Sequence, residues 1–347
     1  MSMQHEVTKP QNLLDSKGHI AEPGYAKSLV WNYSRDQIKA PKWRIKEWDY
    51  YLVVGKGFAV ALTLSDLGYL GMLSVSLLNF DENWEHTNSI ITPFPMGKFH
   101  LPNTSERGDV VYTDKHLKLQ FINNQGTRKL ICEYDNLADG KPFKCDIELE
   151  EPPMDTMVIA TPWAEKPDHF YYNQKINCMP ASGSAEFDGK KYVFNPAEDF
   201  GTLDWGRGVW TYDNRWYWSS GNQRDKYGKA IGFNLGYGFT DRSSATENMF
   251  FYDGKAHKLD EVKFVIPTDE NGKKEYMKPW KITSNDGRFE CDFTPILNRS
   301  SITDLKVIVT DQNQVFGRLN GYAKLDDGTP VEIKDMLMFA EDVRNKY

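Results

Sequence analysis

Period-two alternation, punctuated by Asp-Gly dipeptides, constrains this chain more than any other feature. Leu117, Leu119 and Phe121 alternate with Lys118 and Gln120, Ile147 and Leu149 with Glu148 and Glu150, and Phe289, Cys291 and Phe293 with Glu290 and Asp292. Successive side chains of a strand point to opposite faces, so each run reads as a strand with one face in a core and one toward water. Asp-Gly begins at positions 139, 188, 253, 286 and 327, each time beside a β-like segment. That pair readily adopts the positive φ angles of a tight hairpin turn, and the pattern predicts antiparallel hairpins in series. No window longer than about twelve residues carries an apolar stripe at helical spacing between caps. Only short helices are expected: one after Thr240, where Ser243, Ser244 and Thr246 offer caps near Glu247, and one over 341–347.

Strands joined by hairpins form sandwiches or closed barrels, and closure removes the edges on which aggregation starts. At 347 residues the chain is long for a single core, which favours two units. Pro152, Pro153, Pro162 and Pro167 cannot donate to a central ladder, so the boundary is placed in that stretch, giving units over 1–165 and 166–347. The expected fold is all-β: two antiparallel barrels or strongly curved sheets packed together.

The net charge of −7, with no run of five basic residues, argues against a nucleic-acid partner. The amino terminus has no apolar signal core, and no apolar run reaches the roughly eighteen residues of a membrane span. A cytoplasmic location, with no transmembrane segment, is expected. Cys132, Cys145, Cys178 and Cys291 lack metal-ligand spacing and read as reduced, buried thiols, although Cys132 and Cys145 flank the Asp139-Gly140 turn and can face each other across a hairpin. The seven histidines form no close pair, and phosphate-cradling glycine loops and a Gly-x-Ser-x-Gly elbow are absent. Neither a metal nor a cofactor is expected.

Candidate chemistry concentrates between Leu203 and Gln223, where Trp205, Trp210, Trp216 and Trp218, four of the ten tryptophans, surround Asp204, Arg207 and Arg215. An aromatic wall that excludes water raises a carboxylate's pKa toward the range useful for proton transfer. Asp204 is therefore the candidate acid. Arg207 either neutralises a substrate carboxylate or braces Asp204. In Ile231–Phe239 the large residues share one parity, while Gly232, Gly236 and Gly238 flank Asn234 on the other. A face that bare admits a ligand, a tryptophan or a neighbouring sheet. Glu247, beside Asn248, offers a second carboxylate that can divide acid and base roles with Asp204 if the two approach. In the run Phe170–Asn177, residues Tyr172, Lys175 and Asn177 cannot all face one cavity from a regular strand; Tyr172 and Asn177 are the candidate lining residues.

The segments YYNQKINCMPASG, LDWGRGVWTYDNRWYWSSG, GFNLGYGF, ATENMFFYDGKAHKL, Pro279-Trp280 and VFGRLNGYAKLDDG resemble the bacterial family known as domain of unknown function twenty-eight-oh-four, over most of the chain. More distantly, Asp204-Trp205-Gly206 followed by Trp216-Tyr217-Trp218-Ser219 is similar to a pattern of the carotenoid hydratase and AttH-like superfamily. That likeness implies two lipocalin-like barrels and, for its hydratase members, protonation of an isolated double bond by an acidic residue in an aromatic tunnel. Asp204 is the position that fits this acid. Leu203 stands where a Tyr or His commonly neighbours it.

Together these readings point to an enzyme of hydratase, cyclase or isomerase type acting on a mostly apolar small molecule. Asp204, Glu247 and Arg207 would carry the chemistry, and Tyr172, Asn177, Trp210, Trp216, Trp218, Asn234 and Asn248 would hold the ligand. Two rivals share the same residues: a noncatalytic carrier of a lipid or other hydrophobe, and a glycoside-cleaving enzyme using the Asp204 and Glu247 carboxylates.

Overall fold

The structure, a computed structural model, describes residues 4–304 and 309–346. Its regular structure is almost entirely strand, gathered into two large curled sheets of thirteen and nine strands. In spatial order the main path of the first sheet is Trp84–Pro93, Leu70–Asn79, Phe58–Asp66, Ile45–Gly55, Phe200–Val209, Lys166–Phe187, Lys141–Glu150, Thr127–Ala138, Leu117–Asn123 and Val110–Thr113. The second runs Lys255–Lys258, Met249–Tyr252, Ala230–Tyr237, Asp213–Arg224, Pro330–Lys346, Val309–Lys324, Phe289–Asp304, Trp280–Ser284 and Val262–Val265. Pairing within these paths is antiparallel throughout.

At three of the five Asp-Gly pairs the turn chemistry acts as the sequence predicts, while at 286 and 327 only the glycine takes positive φ. Asp139 and Gly140 have φ of 53° and 75°, Asp188 and Gly189 of 50° and 75°, and Asp253 and Gly254 of 51° and 81°. Each pair closes a two-residue hairpin, between Ala138 and Lys141, Phe187 and Lys190, and Tyr252 and Lys255. Positive φ at both central positions matches the turn to the twist of its strands. Within the first hairpin Cys132 lies directly opposite Cys145, both reduced and buried.

Three expectations need correction. The stretch after Thr240 is an irregular connection, and 341–346 is the end of a seventeen-residue strand rather than a helix. Its backbone is claimed on both sides, by Asp213–Arg224 and Val309–Lys324, and a shared ladder overrides weak helical propensity. The helical turns that do occur, Arg35–Gln37 and Lys42–Arg44, lie elsewhere. The chain also passes between the sheets at residues 210–212 rather than near 165, because Lys166–Phe187, Lys190–Phe194 and Phe200–Val209 all belong to the first sheet. The proline-rich stretch instead leads into a side strand, Met157–Trp163, where Pro162 pairs beyond the reach of Gly24–Ala26.

Each sheet curls around its own apolar core, one including Tyr51, Leu62, Leu119, Phe143 and Trp205, the other Phe233, Trp280, Phe293 and Leu319. Two further clusters draw residues from both sheets and form the seam between them. One contains Tyr171, Trp210, Phe239 and Phe251, the other Tyr50, Leu52, Trp218, Phe316 and Phe339. Trp48 and Trp216 pack against both clusters. Among the described residues no helix is long and apolar enough to cross a membrane.

Candidate functional site

Three neighbouring strands of the first sheet present a grid of side chains to the seam. Ile45–Gly55 contributes Lys46, Trp48 and Tyr50; in register beside them Phe200–Val209 contributes Gly208, Gly206 and Asp204; beyond it Lys166–Phe187 contributes Tyr171, Asn173 and Lys175. The middle strand must be bare at Gly206, where a Cβ would come within 1.9 Å of the Trp48 ring. Only glycine lets that indole lie across the strand. Trp48 then stacks on Tyr171 at 6.2 Å and meets Trp210 edge-on at 5.2 Å.

The second sheet answers with a row in register across four strands: Gly236, Trp218, Glu341 and Gln314. Gly236 is bare because the Glu247 carboxyl covers it, with Oε1 only 2.4 Å from where a Cβ would stand. Gly232, on the same face, is covered by Cys178 of the first sheet, so this glycine face serves packing and the placing of Glu247.

Charges converge where grid and row meet. Asp204 Oδ1 accepts hydrogen bonds from Asn173 Nδ2 at 2.7 Å and from the Lys175 ammonium at 2.8 Å. The same ammonium rests 3.9 Å from the centre of the Trp218 ring, a cation–π contact. Trp218 Nε1 donates to Asn234 Oδ1 at 2.7 Å, and Asn234 Nδ2 donates to the Glu247 backbone carbonyl at 2.8 Å. Glu341 accepts from Trp216 Nε1 at 2.7 Å and from Gln314 Nε2 at 3.0 Å.

Burial pushes the Glu341 carboxyl up to about 7, against the opposing pull of the Trp216 hydrogen bond and the Lys175 and Arg299 charges, with Asp204 adding to the rise. Burial of the Glu247 carboxyl raises its pKa as well, helped by Asp204 and resisted by Lys175. Tyr171 is raised chiefly by burial and then by Glu247, Asp204 and Glu341, so all three carboxylates bear on one phenol. Carboxylates this close in a poorly solvated site relieve their repulsion by retaining a proton.

Of the residues singled out from sequence, Asp204, Glu247, Trp210, Trp216, Trp218 and Asn234 meet at the seam. Three serve elsewhere. Arg207 lies on the opposite face of its strand, fully buried in the first sheet's interior, where it donates to Asp49 at 3.0 Å and to the carbonyls of Trp48, Gly206 and Pro102. Tyr172 also points inward, donating to the Trp31 carbonyl at 3.0 Å and packing against Trp205. Asn248 accepts from Gly236 N and donates to the Asp260 carbonyl, fastening the second sheet. Asn177 reaches across the seam to Ser220, Asn222 and the Phe233 carbonyl, a tie between the sheets. Sequence reasoning passed over Lys175, Asn173, Tyr171, Trp48 and Glu341. Parity carried a signal for part of this set, since residues 171, 173 and 175 alternate onto one face.

With this geometry established, comparison places the chain. The family described as "Domain of unknown function (DUF2804)" matches residues 4–347. The chain belongs to that family. Among solved structures it is similar to one from Nitrosomonas europaea described as an AttH, with a TM-score of 0.52 and 13% identity over 86% of this chain and 92% of that one. At such identity the likeness is one of fold, and the fold is lipocalin-like. Kievitone hydratase from Nectria haematococca follows at a TM-score of 0.47 and 12% identity, covering 87% and 88% of the two chains. The structure described as CghA stands at 0.46 and 9%, covering 97% of each. No curated protein matches the sequence.

Proposed function

We propose that the chain transfers a proton to carbon on a small, largely apolar molecule held in the seam, as a hydratase, cyclase or isomerase does. The observation that carries this reading is the gathering of Asp204, Glu341 and the half-buried Glu247 near the Lys175 ammonium, beside the Trp216 and Trp218 indoles. Glu341 is the donor: with a pKa of about 7 it holds a proton through much of the neutral range and can release it. Protonation of a carbon–carbon double bond uses the π pair to form the new C–H bond and leaves positive charge on the adjacent carbon. The face of Trp216 attracts that charge. Asp204, fixed by Lys175 and Asn173, sets the local field, and Glu247 takes the proton lost from the cation or from an attacking water.

The test is conversion in D2O. The full chain is incubated with an extract of nonpolar metabolites and examined by mass spectrometry. Products one mass unit heavier than in H2O, formed by the wild type and missing with Glu341→Gln, are expected. A hydrophobe that binds and returns unaltered, with no labelled product, replaces the enzyme with a carrier.

Stability gives a second readout. Folded Glu341 keeps its proton up to about 7, whereas its ordinary value is 4.5. Between those values the folded state binds more protons than the unfolded one, so this group's contribution to stability falls as pH rises through the window. Glu341→Gln removes that fall, and the variant's melting temperature should drop less than the wild type's between about pH 5 and pH 7.5. Equal slopes would separate Glu341 from the titration.

A further inference from the structure

Asp204 and Glu341 are buried and Glu247 is half-buried, so a substrate needs a way in. A cleft of about 520 Å³ opens between Trp163, Ala164 and Glu165 on one side and the 238–243 connection with Glu261 on the other. Phe239, buried at its inner side, meets Trp163 at 5.0 Å, Tyr171 at 5.1 Å, Trp210 at 5.0 Å and Trp216 at 5.6 Å. Trp216 in turn donates to Glu341. Ring contacts thus run unbroken from the cleft to the acid, with Phe239 in the middle.

The backbone around Phe239 is unusual. Gly238 has φ of 87° and Thr240 of 59°, the latter a left-handed conformation that a β-branched residue adopts only when its surroundings impose it. The restraint crosses the seam: the Thr240 hydroxyl bonds to that of Thr161 at 2.8 Å, and Asp241 N donates to the Pro162 carbonyl at 2.9 Å. Both partners belong to the side strand of the first sheet. Two hydrogen bonds therefore hold a strained turn in place, with the Phe239 ring packed among four aromatic rings behind it.

We propose that this cleft is the entrance to the seam and that residues 238–241 form its gate, with Phe239 as the plug. At the rim Glu165, Asp241 and Glu261 stand against Arg242, whose guanidinium is already bonded to Glu261. Carboxylates outnumber cations there, so the entrance takes neutral or cationic amphiphiles and turns away anionic ones. What happens beyond the gate rests on the proton-transfer reading above; passage through it does not.

The test uses the full chain and follows by stopped flow the fluorescence of the neutral probe N-phenyl-1-naphthylamine. Phe239→Ala should take up the probe about tenfold faster than the wild type, as expected for a lowered barrier. Thr161→Val cuts one of the two tethers without touching the plug, keeps the side chain's bulk, and should act in the same direction. A naphthalene carrying trimethylammonium should enter faster than one carrying sulfonate, and Glu165→Gln with Asp241→Asn should narrow that gap. Unchanged rates in both gate variants, no uptake by any of the chains, or equal entry of the two charged probes would overturn the proposal. No step requires turnover, so a chain that converts nothing is still judged by this measurement.

Discussion

Asp204 and Arg207 stand three residues apart on one strand, both buried, yet they inhabit opposite electrostatic worlds. On the inward face Arg207 meets Asp49 at 3.0 Å and Glu47 at 3.8 Å, while Glu47 is further bonded by Arg35 and by Tyr33 Oη at 2.7 Å. Cations and anions alternate there and most polar atoms are partnered, as a buried network needs if it is to brace a fold. On the outward face Asp204 pairs with Lys175, while Glu247 and Glu341, which also feel Lys258 and Arg299, have no ion-pair contact of their own among the described residues; burial raises proton affinity at both, as it does at Asp49 on the inward side. Burial alone therefore does not separate the two faces, since it raises proton affinity on both; what separates them is that guanidiniums bond directly to Asp49 and Glu47, whereas Glu247 and Glu341 are bonded by amide and indole N–H groups.

The comparison can be broken most severely from the inward side. Arg207→Met would leave Asp49 and Glu47 buried without their cation, and a loss of about 3–5 kcal/mol in urea unfolding is expected. A loss no larger than that of an exposed pair would mean the inward network is not a brace. Lys175→Met should cost less, about 2 kcal/mol at pH 8, and less again at pH 6, because the seam carboxylates can take up protons when the ammonium is gone. Adding Asp204→Asn should recover part of the loss, and strict additivity of the two changes would argue against their pairing.

Gly206→Ala separates geometry from charge. Its new methyl would displace the Trp48 ring, at a cost of about 1–3 kcal/mol and with a changed near-ultraviolet circular dichroism of the indoles. An unchanged spectrum would show that the ring does not need the bare backbone. The smallest effect belongs to Tyr172→Phe, which removes one inward hydrogen bond, about 1 kcal/mol, and should leave the Glu341-linked pH dependence intact. A shifted pH profile in this variant would mean that the two faces of the sheet communicate.

Strands and turns were legible because they are local: alternation at 117–121 and 145–149 and the Asp-Gly pairs need no distant partner. The site was only half legible because it is assembled by register. Asp204 meets Lys175 across one ladder and Trp218 meets Glu341 across another, and neither pairing is written in adjacent residues. Phe200–Val209 is buried on both faces, so burial there no longer alternates with position, and Arg207 was grouped with Asp204 by proximity in the chain. Parity separates the two residues and would have corrected the grouping. The tail around Glu341 is likewise buried on both faces from Met338 to Val343, which erased the alternation that would have revealed a strand. The crossing at 210–212 escaped notice because it carries aromatic and polar residues instead of the prolines or glycines that usually punctuate a chain.

That crossing has a consequence for how the molecule could be divided. A chain severed between Val209 and Asp213 would leave Lys175 and Asp204 on one piece and Trp218, Glu247 and Glu341 on the other, each piece holding half of the charged cluster. Neither fragment would have the full complement until the two docked. Reassembly of such halves would act as a coincidence detector, with the Lys175 ammonium settling on the Trp218 ring and the fluorescence of that indole reporting that the sheets had found each other.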